Sequence, residues 1–178
     1  MKKIIFSFFA ILLIAGCTAP AEEIDIAKEE EAIKALIKEE VARFLDRDYT
    51  SEADFVKNAD YVTTVHNNGN SHNQTVGWDS IFVGLKKFSE LDGWQYVTNF
   101  KIEQKDFHIK VYDKVAWAVY YVHEYWEYKG EPWDNTNSRV TFLEKVGDNW
   151  KIVLLTTTRL NPCETEDEDE DEDEDDDE

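Results

Sequence analysis

Val115-Ala116-Trp117-Ala118-Val119-Tyr120-Tyr121-Val122-His123-Glu124-Tyr125-Trp126-Glu127-Tyr128 decides the fold of this chain. The stretch is β-branched and aromatic, so it reads as one long strand. Both parities are apolar in its first half: Ala116, Ala118, Tyr120 and Val122 point one way, and Val115, Trp117, Val119 and Tyr121 the other. A sheet with one wet face alternates apolar and polar residues, so this strand asks for cover on both sides.

Working outward, Tyr112-Asp113-Lys114, Lys129-Gly130-Glu131-Pro132 and Gly147-Asp148-Asn149 read as hairpin connections. They separate strand candidates at Tyr96–Glu103, Asp106–Tyr112, Ser138–Val146 and Trp150–Leu160. The last strand repeats the two-sided pattern, with Ile152 and Leu154 against Val153 and Leu155.

Upstream the period changes. Ile26, Ile33, Leu36, Ile37, Val41, Phe44 and Leu45 form a helical stripe within Ile24–Arg47, opposite Lys28, Glu29, Glu31, Lys34, Lys38 and Glu39. Ser51–Asn58 reads as a short helical turn and Tyr61–His66 as a strand. An Asn-Gly turn then leads to a short return strand at Gln74–Val76. Trp78, Ile81, Phe82, Leu85 and Phe88 mark a third helix. Helices first and an antiparallel meander afterwards predict an α+β layer fold.

The termini differ from this domain. Lys2 and Lys3, the apolar run Ile4–Ile14 and the small residues before Cys17 have the anatomy of a secretory signal. The run is about eleven residues, against roughly 20 for a membrane span. Ala15-Gly16-Cys17 resembles a bacterial lipoprotein signal. That resemblance implies a diacylglyceryl group on Cys17, cleavage before it, and acylation of the new N-terminus. Acyl chains contribute about 0.8 kcal/mol per buried methylene, and more than one chain gives stable anchoring. The expected organisation is a signal at 1–16, lipidated Cys17 with a tether to 23, one domain at 24–162, and an acidic tail at 163–178. The expected location is the cell envelope, at the outer membrane if the host has two.

The formal net charge is -20, and from Glu164 to Glu178 every residue except Thr165 is acidic. Such a block is expected to be disordered. It suits a solvated bristle better than a cation site, which needs fixed geometry and a tight turn. With no basic stripe to release counterions, the chain is not expected to bind nucleic acid. Once Cys17 is acylated, Cys163 is left as a free thiol or a bridge to a second chain. No metal site is expected: His66 and His72 flank an Asn-rich turn, and His108 and His123 lie elsewhere.

The domain resembles the nuclear transport factor 2-like superfamily in its SnoaL-like branch. The resemblance rests on the long first helix, Val76-Gly77-Trp78-Asp79-Ser80-Ile81, Tyr112-Asp113-Lys114-Val115-Ala116-Trp117, Ser138-Arg139-Val140-Thr141-Phe142 and Gly147-Asp148-Asn149-Trp150-Lys151-Ile152-Val153. It implies a cone: a curved antiparallel sheet wrapped around about three N-terminal helices, with a pocket at the open end. It also implies dimerisation through the outer sheet face, in agreement with the two-sided strands. The family spans isomerases, cyclases, dehydratases, small-ligand binders and scaffolds, so the fold names no activity.

Two departures weigh against acid–base catalysis. Many relatives place histidines where this chain has Leu154 and Thr156, and the Asp–Tyr–Asp trio of ketosteroid isomerases has no counterpart here. With the alanine strand facing the cone, Tyr120, Glu124 and Trp126 line the pocket. Arg139 and Thr141 reach it from the next strand, Thr156 from the last, Trp78 from the third helix and His66 from the first strand's end. Glu124 and Arg139 also suit a cross-strand ion pair, His66 a turn-flanking surface position, and the tryptophans the core.

The reading is an envelope lipoprotein binding a small apolar or aromatic ligand or a partner protein, as a homodimer and without a cofactor. The alternatives are an isomerase or hydro-lyase with Glu124 or His66 as base, and a scaffold that binds nothing. Cys17→Ala is expected to abolish labelling by a fatty-acid probe in the host; a labelled variant contradicts the lipoprotein reading.

Overall fold

The computed structural model describes residues 24–160. The signal, Cys17 with its tether to residue 23, Cys163 and the acidic tail lie outside the described residues. The first helix, α1 (Ile26–Leu45), starts where Asp25 accepts a hydrogen bond from the Lys28 amide at 3.1 Å. It buries Ile33, Ile37, Glu40 and Val41 on one face. A 3-10 segment at Tyr49–Asp54 replaces the helical turn expected at Ser51–Asn58. The second helix, α2 (Trp78–Ser89), follows Gly77, whose φ of +87° suits a residue without a side chain. A second 3-10 segment, Asp92–Tyr96, leads from α2 into the sheet.

Six strands form one sheet: β1 (Thr63–Asn67), β2 (His72–Val76), β3 (Val97–Tyr112), β4 (Val115–Tyr128), β5 (Glu131–Val146) and β6 (Asn149–Arg159). Their order is β2-β1-β6-β5-β4-β3. The expectation of a wholly antiparallel sheet needs one correction, because β1 and β6 pair in parallel. A parallel pair cannot be closed by a hairpin, and here nearly the whole domain forms the crossover between β1 and β6. The sheet is therefore mixed and open. The helices pack on one of its sides, as α+β architecture and the cone require.

The long strands are bent by irregular pairing. β3 is one strand where two were expected, with register shifts at Thr98/Lys101 and Lys105/His108. Asn99 and Asp106 within those shifts have positive φ, and bulges of this kind bend a strand and sharpen its twist. β5 starts at Glu131, seven residues before the expected Ser138. Pro132 is tolerated there because β6 pairs with β5 only from Asn137 onward, so that side of β5 has no ladder partner to lose. Lys129 and Gly130, both with positive φ, make the two-residue turn between β4 and β5.

The even residues of β4 face inward. Ala116, Ala118, Tyr120 and Val122 pack with Ile33, Ile37, Leu143, Trp150 and Ile152 into one core. The side-chain amide of Gln104 ties β3 to α1 by donating to the Ile37 carbonyl at 3.2 Å. On the outer face Trp117, Val119 and Val140 are half-buried while Tyr121 and Phe142 are exposed. No helix among the described residues is long and apolar enough to cross a membrane.

Candidate functional site

The packed core fills only one end of the layer. At the other, the sheet bends away from the helices and leaves a cavity of about 780 Å³. Its apolar wall comes from Val41 and Phe44 on α1, Leu85 and Phe88 on α2, and Trp94, Phe100 and Trp126. The aromatic part is continuous. Phe88 meets Trp94 edge-on at 4.9 Å between centroids, Trp94 lies 5.8 Å from Phe100, and Phe100 lies 5.9 Å from Trp126. Trp126 stacks on Trp133 across the β4–β5 pair at 6.0 Å.

The floor is polar because register places four polar side chains in one row across the sheet. His66 pairs with Thr157, Thr157 with Arg139, and Arg139 with Tyr120. Arg139 donates to Glu124 Oε1 at 3.2 Å. The other oxygen of Glu124 accepts from Asn137 at 3.0 Å and from Asn135 at 3.4 Å. The ion pair is largely buried, with 13% and 16% of its two side chains exposed. Arg139 Nε and Thr157 Oγ1 are buried with no hydrogen-bond partner among the described residues.

Of the residues singled out from the sequence, His66, Glu124, Trp126 and Arg139 line the cavity. Tyr120 and Thr141 lie beneath it, 2% and 0% exposed and hydrogen-bonded to each other at 3.2 Å. Burial raises the Tyr120 pKa. Trp78 is turned into packing with Phe82. Thr156 falls on the wrong face. Phe142 pairs with Leu154 but the next β5 residue, Leu143, pairs with Ile152, leaving Val153 as an extra residue. A one-residue bulge reverses the side-chain parity beyond it, so Leu155, Thr157 and Arg159 line the cavity instead.

Two carboxyl groups in the wall are absent from the sequence reading. Glu40 is 9% exposed and Glu52, in the first 3-10 segment, 4%. Glu40 was legible: it lies three residues after Ile37 and seven after Ile33, on the apolar stripe of α1. Glu52 has no such signal, since its burial comes from tertiary packing. Burial raises the Glu40 pKa, opposed by the charge of Arg139. Burial, and then the charge of Glu40, push Glu52 up to about 8. His66 is surface-accessible at the mouth. Crowding by the wall and then the Arg139 charge lower its pKa. Glu52 can therefore hold or release a proton near neutral pH, the condition for acid–base work in a cavity.

Glu52 has a native-state pKa above its ordinary value of 4.5. The native state then binds more protons between the two values, and its stability falls as pH rises through that window. His66 has the opposite sign, but its contribution is complete above the ordinary imidazole value of ~6.5. Between pH ~7 and ~9 the domain is expected to lose on the order of 1 kcal/mol through Glu52. Glu52→Gln is expected to flatten that loss in thermal unfolding followed by circular dichroism; an unchanged slope contradicts the assignment.

No family model matches the sequence, and no curated protein does. Solved structures do. A nuclear transport factor 2-like superfamily protein from Salmonella enterica superposes with a TM-score of 0.63 at 15% identity, over 79% of this chain and 97% of that one. A nuclear transport factor 2-like protein from Cytophaga hutchinsonii gives 0.56 at 13% identity, covering 74% and 98%. A ketosteroid isomerase-like protein from Erwinia carotovora atroseptica gives 0.56 at 15%, covering 76% and 98%. At these identities the likeness is one of fold, and it agrees with the open, bent sheet over helices described above: this chain has the nuclear transport factor 2-like fold.

Proposed function

We propose that the domain binds a small, largely apolar or aromatic molecule in its cavity, held at the cell envelope by a lipidated Cys17. The observation that carries this reading is the cavity itself. A volume of about 780 Å³ lies within the roughly 300–1,000 Å³ of small-molecule sites. A scaffold that binds nothing has no use for such a space, which filling with side chains would make more stable. The unpartnered Arg139 Nε and Thr157 Oγ1 add two polar contacts able to orient a ligand. The anchor rests on the Ala15-Gly16-Cys17 sequence.

A second reading, an isomerase or hydro-lyase, is favoured by one observation: Glu52 is pushed up to about 8 beside that apolar space. It shifts the candidate base from Glu124, which is held by Arg139 and two asparagines, to Glu52. The outer sheet face supports the further proposal that a second copy covers Trp117, Tyr121 and Phe142.

The full chain in detergent is expected to take up the uncharged dye N-phenyl-1-naphthylamine with a fluorescence rise. Leu85→Trp, which fills the cavity from α2, is expected to weaken uptake by about tenfold or more. No uptake by wild type contradicts the binding reading. Phenylacetone held in heavy water should exchange its α-protons faster than in buffer under the enzyme reading alone, and Glu52→Gln should then abolish the gain. Sedimentation of the full chain in density-matched detergent is expected to give a protein mass of two chains; one chain at high concentration contradicts the dimer.

A further inference from the structure

Glu40 and Glu52 reach the cavity from separate elements, and the backbone fixes both. Glu40 is carried inward by the buried stripe of α1. Glu52 is held by its segment's docking onto the sheet: the Phe55 and Val56 amides donate to the Glu52 carbonyl, and the Ile152 amide of β6 donates to the Phe55 carbonyl at 2.8 Å. Both side chains are more than nine-tenths buried, both line the cavity, and neither carboxyl has a hydrogen-bond donor among the described residues. Burial raises the pKa of both, so each holds a proton more readily than in water. Their oxygens are not fully enclosed, unlike Arg139 Nε and Thr157 Oγ1, so both carboxyls open onto the cavity from the helical side.

The other charged groups facing this space do not resolve it. Arg139 acts on both carboxyls through its charge, but its Nη2 is bonded to Glu124, which two asparagines also hold, and its Nε bonds neither carboxyl. Arg159 lies at the far end of β6, opposite Asn137. His66, at the mouth, is held toward its neutral form. Asp48, capping the segment that carries Glu52, adds a further negative charge. Among the described residues no lysine lines the cavity. Among the described residues no cationic side chain donates to Glu40 or Glu52, so a cationic donor entering the cavity would find both carboxyls open to it. Arg47 is engaged over the Trp94 ring at 4.9 Å, and beside the carboxyls Phe44, Phe88 and Phe100 present ring faces and edges that suit an aromatic body.

We propose that Glu40 and Glu52 form an ammonium subsite, so that the ligand is a small apolar or aromatic amine whose charged nitrogen lies between the two carboxyls. This rests on the ligand-binding reading above and narrows its ligand class. Binding then requires both carboxyls ionised. The protons that burial keeps on Glu40 and Glu52 leave to solvent as the ammonium arrives, and affinity for the amine rises with pH until both carboxyls are ionised in the free protein.

Three probes of one size and different charge test this: 2-phenylethylamine, 2-phenylethanol and phenylacetate, each displacing N-phenyl-1-naphthylamine from the full chain. The amine is expected to compete about tenfold better than the alcohol and the acid at pH ~8, since a charge-assisted hydrogen bond is about twice as strong as a neutral one. Glu40→Gln and Glu52→Gln are each expected to remove most of that advantage while leaving 2-phenylethanol unchanged. Equal or stronger competition by the alcohol or the acid on the wild-type protein overturns the subsite, whether or not the variants fold, and leaves the cavity reading standing. Failure of the dye to enter overturns both.

Discussion

Arg139 meets Glu124 at 3.2 Å inside the layer, with only 13% and 16% of the two side chains exposed, and most of the polar interior is arranged around that contact. Two charges removed from water recover their desolvation only with good geometry and further hydrogen bonds. Asn135 and Asn137 supply those bonds to Glu124. Removing one partner of such a pair costs about 3–5 kcal/mol, because the other charge is left buried alone. The charge of the same guanidinium opposes the larger upward push of burial on Glu40, Glu52 and Tyr120, and adds to burial in lowering His66.

The space around this pair exists because the sheet does not run straight. Register shifts along β3, and the extra residue Val153 in β6, bend the strands away from the helices. Ala116 and Ala118 pack directly against helix and strand neighbours in the core. Toward the open end the small alanines give way to Tyr120, Glu124 and Trp126 on the same face of β4. Strand parity thus carries one face from closed core to cavity floor, and the bend sets where one becomes the other.

Periodicity made much of this legible before any coordinates. The stripe on α1, the spacing of Trp78 to Phe88 on α2 and the inward parity of β4 all follow from residue pattern, because each depends on local geometry alone. The first half of β5 did not, because Pro132, Asp134, Asn135 and Asn137 have poor strand propensity and are held by pairing with β4. That stretch carries two of the three groups that hold Glu124. Thr157 reaches the cavity in place of the expected Thr156 because a bulge at a valine leaves no mark in the sequence. Glu40 was visible in its stripe, whereas Glu52 became part of the site only through tertiary packing.

Ligand capture, proton handling and the ammonium subsite share one claim: that the helical wall of the cavity is dry enough to hold carboxyl groups far from their behaviour in water. Carbon-13 NMR of the glutamate side-chain carboxyls, with Glu52 assigned through Glu52→Gln, measures this directly. The account expects the Glu52 resonance to titrate near pH 8. A midpoint at the ordinary value of 4.5 means that water reaches the group freely, and the burial of Glu52 in the cavity wall is then not the state of the molecule in solution.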